Sequence, residues 1–267
     1  MPQISVADNP ALAQKMLREV ESSTSPRLEP PDLRPTTDTV FSLCGGYMQM
    51  DGRWVKEFEV RELNGRDEEY IGRITEPTRV FVAMLERGLV RVGGDRSSSE
   101  VVDGLLAGDW ETVLIAIRIA TFGWEYETEA KCGNCGGEHD LAIDLRTIPF
   151  RTADKEDYLF EVKGRKGTRF EVCMAYGSTQ RKIMGLGVGT TQAEINTALL
   201  SGCVQSVNGM PMLGPDYVKD IPLSDRRLLL KEIESRRVGP RFREVTTKCP
   251  ACGAEQEYPL SIAALFR

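Results

Sequence analysis

Two short stretches place side chains with metal chemistry close together, Cys132-Gly133-Asn134-Cys135 and Cys249-Pro250-Ala251-Cys252. The C-x-x-C spacing lets a tight turn aim two thiolates at one ion. Each pair is followed by a glycine, Gly136 or Gly253, the residue suited to a turn with positive φ. A structural zinc site takes four ligands, and each pair supplies two. The simplest arithmetic is therefore one structural Zn2+ per chain, held jointly by Cys132, Cys135, Cys249 and Cys252. A second arrangement adds His139, the sole histidine, to the first pair. The equivalent position beside the second pair is Gln256, so that arrangement breaks the symmetry and ranks lower. Thiol redox chemistry also ranks lower. Each pair is expected between strands, not at a helix N-terminus that would lower a thiol pKa.

The elements that must position these pairs recur along the chain. Trp124–Glu129 alternates in polarity and reads as a half-buried strand, with Leu141–Ile143 as its return across the first pair. Arg243–Thr247 and Glu255–Leu260 stand in the same relation to the second. Upstream, Val40–Leu43, Trp54-Val55 and Phe58–Leu63 read as strands, with turns expected at Gly45-Gly46 and Asp51-Gly52. Helices are expected near Asp67, from Pro77 to about Arg87, over Glu100–Leu106 capped by Ser97 or Ser98, and from an Asp109 cap to Phe122, with a strand at Leu89–Val92. The last of these helices should bury one side through Val113, Leu114, Ile117 and Ile119. Beyond a polar connector at 149–157, Tyr158–Val162 and Thr168–Met174 read as a hairpin. Ser178–Met184 and Thr191–Leu200 read as helices, Val204–Val207 as a strand, and the run to about Arg237 as a helix capped by Ser224.

The two series align. Phe58-Glu59-Val60 recurs as Phe170-Glu171-Val172 at an offset of 112; Asp109, Leu114 and Gly123 match Asp225, Leu230 and Gly239 at 116; the cysteines match at 117, as do Leu145 and Ile262. A repeat of this length is a domain-sized duplication rather than a solenoid period. The expected fold is α+β: a tandem duplication of a strand and helix unit with a zinc-knuckle hairpin, over 40–150 and 151–267. An N-terminal arm, 1–39, precedes it. Pro10 can open a short helix there, striped by Ala11, Leu12, Met16, Leu17 and Val20, before a Pro-rich extended segment suited to docking on another chain.

Composition limits the functional classes. With 41% hydrophobic and 28% charged residues the chain reads as globular. No apolar run is long enough to span a membrane, and the N-terminus lacks a secretory pattern, so synthesis in a cytoplasm is expected, where thiols stay reduced. The net charge of −6 argues against general nucleic-acid binding. The knuckle regions differ in charge. The first is rich in Glu (Glu111, Glu125, Glu127, Glu129) and the second in Arg (Arg226, Arg227, Arg236, Arg237, Arg241, Arg243). They are either two solvated faces or complementary surfaces, within the monomer or between neighbours. No nucleophile elbow, P-loop or H-E-x-x-H is present, no catalytic residue is assigned, and an enzyme is not expected. Gly185–Thr190 is read as a helix connection, and Cys44, Cys173 and Cys203 as buried thiols.

Phe58–Glu69 (FEVRELNGRDEE), Leu106–Tyr126 (LAGDWETVLIAIRIATFGWEY) and the first C-x-x-C with its return strand and Asp144-Leu145 together resemble the T4-type baseplate proteins of contractile-tailed bacteriophages, a family with hub and hub-assembly members. The family places an arginine after the aspartate of the Gly-Asp step. Trp110 stands there in the first copy, and Asp225-Arg226 keeps the arginine in the second. The resemblance implies a non-enzymatic structural subunit of the virion tail baseplate or a related injection machine. Its partners would be other baseplate, hub or tail-tube proteins, with several copies in a symmetric assembly. Alternatives are an assembly chaperone absent from the mature particle and a zinc-ribbon nucleic-acid binder.

Overall fold

Two four-stranded antiparallel sheets frame the structure, a computed structural model that describes residues 39–267 except 188, 213, 243–245, 258–259 and 267. The expected arm lies outside the described residues, apart from its last residue, as does the start of the strand expected at Arg243. Pro35–Arg267 form one compact unit. Its first half runs β1 (Val40–Met48), β2 (Trp54–Val60), α1 (Gly65–Gly72), α2 (Pro77–Gly88), β3 (Leu89–Val92), β4 (Asp95–Arg96), α3 (Ser99–Gly104), α4 (Ala107–Phe122), β5 (Glu125–Lys131) and β6 (Glu138–Asp144). A short β7 (Phe150–Arg151) follows. The second half runs β8 (Leu159–Lys163), β9 (Arg169–Cys173), α5 (Gly177–Met184), α6 (Gln192–Cys203), β10 (Val204–Val207), β11 (Met210–Pro211), α7 (Pro215–Lys219), α8 (Leu223–Arg236), β12 (Gly239–Pro240), β13 (Thr246–Lys248) and β14 (Glu255–Glu257).

The sheet orders are β1-β2-β3-β4 and β11-β10-β9-β8. Phe58 sits opposite Phe41 and Val92, and Phe170 opposite Val162 and Val207, so each aromatic is the central inward residue of its sheet. Both are fully buried, in separate cores. A third cluster lies between the halves, where Cys44, Leu106, Tyr158, Met174 and Val238 pack together. Backbone bonds also cross there, from Ala107 N–H to Ala175 O at 2.8 Å and from Gly177 N–H to Leu105 O at 2.6 Å. The β12–β7 pair adds a further joint.

Helix α4 departs from the one-sided expectation. Trp110, Val113, Leu114, Ala116, Ile117 and Ala120 face the first core, while Ile115 and Ile119 face another built from the β5–β6 hairpin and the C-terminal segment. A helix covered on both sides needs no polar face, which is why its apolar residues show no single stripe. Its N-terminal turn approaches the second half so closely that a side chain on Gly108 would strike the Val238 carbonyl. Gly239 faces it with φ 103°, in the left-handed region that favours glycine.

Three local expectations are corrected. Asp109 is not an N-cap: the cap position is Leu106, and the Asp109 side chain leaves its own helix. Its carboxylate accepts N–H bonds from Cys44 (2.7 Å), Gly45 (3.1 and 3.2 Å) and Gly46 (3.2 Å). Gly45-Gly46 is accordingly not a turn but an irregularity inside β1, where the register with β2 shifts between Ser42 and Tyr47. In α8, likewise, the expected cap Ser224 lies inside the first turn, behind Pro222.

Burial pushes the Asp109 carboxyl up to about 6, with the N–H groups of Gly45, Gly46 and Cys44 opposing the rise. A raised folded-state pKa means that the folded protein binds the proton more tightly than the unfolded chain. This group's contribution to stability is thus full below pH about 4 and is lost as pH rises to about 6. Asp109→Asn removes the titration. The unfolding free energy of the native protein relative to this variant, measured by denaturant titration, should fall across that window at up to about 1.4 kcal/mol per pH unit and be level above it. A flat difference would contradict the assignment.

Candidate metal centre

The β5–β6 hairpin forms because its residues alternate. Tyr126, Thr128 and Ala130 pair with Ile143, Leu141 and His139 on the inner face, while Glu125, Glu127 and Glu129 point outward. Its base rests on Ile115 and Ile119 of α4 in a core that also contains Leu145, Ile148, Leu260 and Leu265. Leu260 and Leu265 come from beyond the second C-x-x-C, so the chain's end returns to pack on the first half. Arg118 holds it there through a 2.9 Å bond to the Leu265 carbonyl. The two knuckle hairpins are brought side by side in this way.

Each knuckle has the same backbone wiring. Cys132 N–H donates to Gly137 O and Gly136 N–H to Cys132 O, both at 2.9 Å. Cys249 N–H donates to Ala254 O at 2.9 Å and Gly253 N–H to Cys249 O at 2.8 Å. Gly136 and Gly253 have φ of 71° and 70°, the turn conformation for which glycine was expected. In both, the first cysteine is buried and the second exposed.

The four sulfurs meet. All lie within 4.8 Å of one another. Cys132 Sγ is 3.7 Å from Cys252 Sγ, and Cys135 Sγ is 3.8 Å from Cys249 Sγ. These distances are far beyond a disulfide, in which the sulfurs are about 2.05 Å apart. They match the edge of a tetrahedron around zinc, about 3.8 Å for Zn–S bonds of about 2.3 Å. The donor set therefore fits a tetrahedral thiolate metal. His139 is not part of this cluster. Its imidazole nitrogens are buried without a hydrogen-bond partner among the described residues.

The surroundings favour thiolates unevenly. Backbone N–H groups of Cys135 and Asn134 hold the Cys132 thiol below its usual range. The Ala254 N–H, aided by the Asn134 side-chain amide, lowers Cys252 to about 6. The Asn134 amide donates to Cys252 Sγ at 3.6 Å, one knuckle thereby supporting a sulfur of the other. At Cys135 the Gly137 N–H lowers the pKa, but the adjacent thiols of Cys132 and Cys252 outweigh it and push the group up to about 11. Crowding four thiols together without a cation resists full ionisation, and a divalent ion would relieve it. The other three cysteines are buried elsewhere. Burial raises the Cys44 thiol to about 11 and moves Cys173 and Cys203 in the same direction.

A hydrogen bond that the sequence did not announce accounts for the residue after each aspartate. Trp110 Nε1 donates to Val102 O at 2.7 Å, and Arg226 Nη1 donates to Val218 O at 2.8 Å. Both acceptors lie eight residues upstream, on α3 and α7. An indole and a guanidinium serve the same contact in the two halves. Asp225, like Asp109, is buried and reaches the first hairpin of its own half, accepting from Arg165 N–H at 3.1 Å.

Residues 92–210 match a protein family described as T4 bacteriophage base plate protein. The match covers Leu106–Tyr126, the first knuckle and Asp144-Leu145, and extends into the second sheet. Phe58–Glu69 and the second knuckle lie outside it. Comparison with curated proteins and with solved structures returns no match. Among the described residues, no helix is long and apolar enough to cross a membrane.

Elemental analysis of protein purified under reducing conditions should give about one zinc per chain. Cys135→Ser or Cys252→Ser, both at exposed positions, should abolish stoichiometric zinc and lower the melting temperature by at least ~5 °C. His139→Ala should leave zinc content unchanged. Two zincs per chain, or retention after either serine substitution, would contradict a shared four-thiolate site.

Proposed function

We propose that the chain, of which residues 92–210 match the family described as T4 bacteriophage base plate protein, is a structural subunit of the baseplate of a contractile tail or related injection machine. It acts through protein contacts and not through catalysis. The family match is the observation that carries this reading. The two halves are a tandem duplication, a reading supported by their order of elements, which runs in parallel from the first hairpin to the knuckle apart from the extra β12 of the second half. Cys132, Cys135, Cys249 and Cys252 hold one structural zinc ion that ties the two knuckles together. The metal fixes the relative orientation of the halves, so surfaces that meet different neighbours keep a constant spacing. Other baseplate, hub or tail-tube proteins are the partners, and the arm, 1–39, supplies a further docking element. The subunit resides in the virion after synthesis in the host cytoplasm.

Quantitative mass spectrometry of purified particles tests the role. The chain should be present at a fixed, integral ratio to other tail proteins. Its absence from mature particles, with failed baseplates on deletion, would overturn residence in the particle and leave an assembly chaperone.

A further inference from the structure

We infer that the outer face of the β5–β6 hairpin binds the β8–β9 turn of a second copy of this chain. The hairpin's cross-strand partners on that face are Glu125 with Asp144, Glu127 with Ala142, Glu129 with Asp140, and Lys131 with Glu138. Asp144 is neutralised by Arg146 at 2.7 Å. Glu125, Glu127, Glu129, Glu138 and Asp140 are exposed and have no ion-pair partner among the described residues. Glu129 and Asp140 stand directly opposite, a like-charge pairing that weakens a hairpin unless a cation comes from elsewhere.

The complementary pattern occurs on the second sheet. Lys163, Arg165, Lys166 and Arg169 are exposed around one turn, and Lys163 is directly opposite Arg169. These cations also have no ion-pair partner among the described residues. Opposite charges of the two halves do meet within the chain, through Arg237 with Glu111 at 2.5 Å, Arg181 with Asp103 at 2.6 Å and with Glu86 at 3.1 Å, and Lys56 with Asp154 at 3.0 Å, but none of these pairs uses the charged residues of either hairpin face. The β5–β6 face is thus mostly acidic, with Lys131 at its knuckle end, and the cations of β8–β9 are confined to its turn, since farther along the same face Glu161 stands opposite Glu171; the turn and the acidic face carry opposite signs. Among the described residues, β8 is the terminal strand of its sheet, and β5 and β6 pair only with each other. Lysine on an edge strand ordinarily blocks pairing, but facing a row of carboxylates the same charge selects the partner. Exposed aromatics at the hairpin base, Phe122 and Trp124, add apolar area next to the charged face. Two different surfaces in contact form a heterologous interface, which propagates into a ring or a chain.

Sedimentation velocity on the purified full chain tests this without any other tail component, so its failure leaves the baseplate reading untouched. The protein should self-associate at low salt, weakening about tenfold between ~50 and ~500 mM NaCl. Glu125→Lys, Glu127→Lys and Glu129→Lys combined should give monomers, as should Lys163→Glu, Arg165→Glu and Lys166→Glu combined. Mixing the two variants should restore association, a result that misfolded proteins would not produce. The combined Glu→Gln set, which keeps side-chain size, should weaken association less than reversal. A monomer under all conditions, variants that associate like the parent, or a mixture that stays monomeric would each overturn the proposal.

Discussion

The carboxylate of Asp109 lies in the interior, at the start of a helix that is itself covered on both sides. A charge there is tolerable only with full hydrogen bonding, and the three successive N–H groups of Cys44, Gly45 and Gly46 provide it. Those groups are free to turn inward because β1 breaks its register at that point. The irregular strand and the buried acid therefore require one another. Between them they set the height of α4 against the first sheet. From that height follow the contact of Gly108 with Val238, the Leu105–Ala107 bonds to the second half, and the floor on which the knuckle hairpins stand.

The halves meet similar demands by different chemistry. Asp225 reaches the turn after β8 much as Asp109 reaches β1. Trp110 and Arg226 tie their helices to carbonyls eight residues upstream, but their surroundings differ. The Trp110 indole packs in the first core. Arg226 is nearly buried and divides its donors between Val218 O and Thr197 Oγ1. The tryptophan after Asp109 and the arginine after Asp225 thus make the same kind of hydrogen bond, the first with apolar area and the second with a charge.

The knuckles concentrate the consequences of this architecture. Each is wired by the same local bonds, yet neither supplies a complete ligand set. An ion held between them would bridge residues more than a hundred positions apart, and constraining so long a loop removes much freedom from the unfolded chain, on the order of 5 kcal/mol by the chain-entropy argument for a cross-link. It would also hold the C-terminal segment on α4, beside the contact of Arg118 with Leu265.

The elements with a strong period were legible in the residues: β3, β10, α2, α8 and both knuckle turns lie close to where alternation, Pro77, Gly136 and Gly253 put them. The family resemblance was readable in Leu106–Tyr126 and the first knuckle. What local pattern could not show was where a side chain finds a distant partner. Asp109 has the composition of a cap and Gly45-Gly46 that of a turn, because capping and turning are the local uses of those residues. Their actual use joins segments more than sixty positions apart. The one-sided stripe expected for α4 failed for the same reason, since a second core reaches it from the chain's end. By itself the sequence determined the cysteines, their spacing within each knuckle and the order of local elements, all of which depend on neighbours along the chain. Only the tertiary structure decided that the four sulfurs converge at tetrahedral distances and that His139 stays apart, because convergence depends on how two hairpins pack on one buried helix.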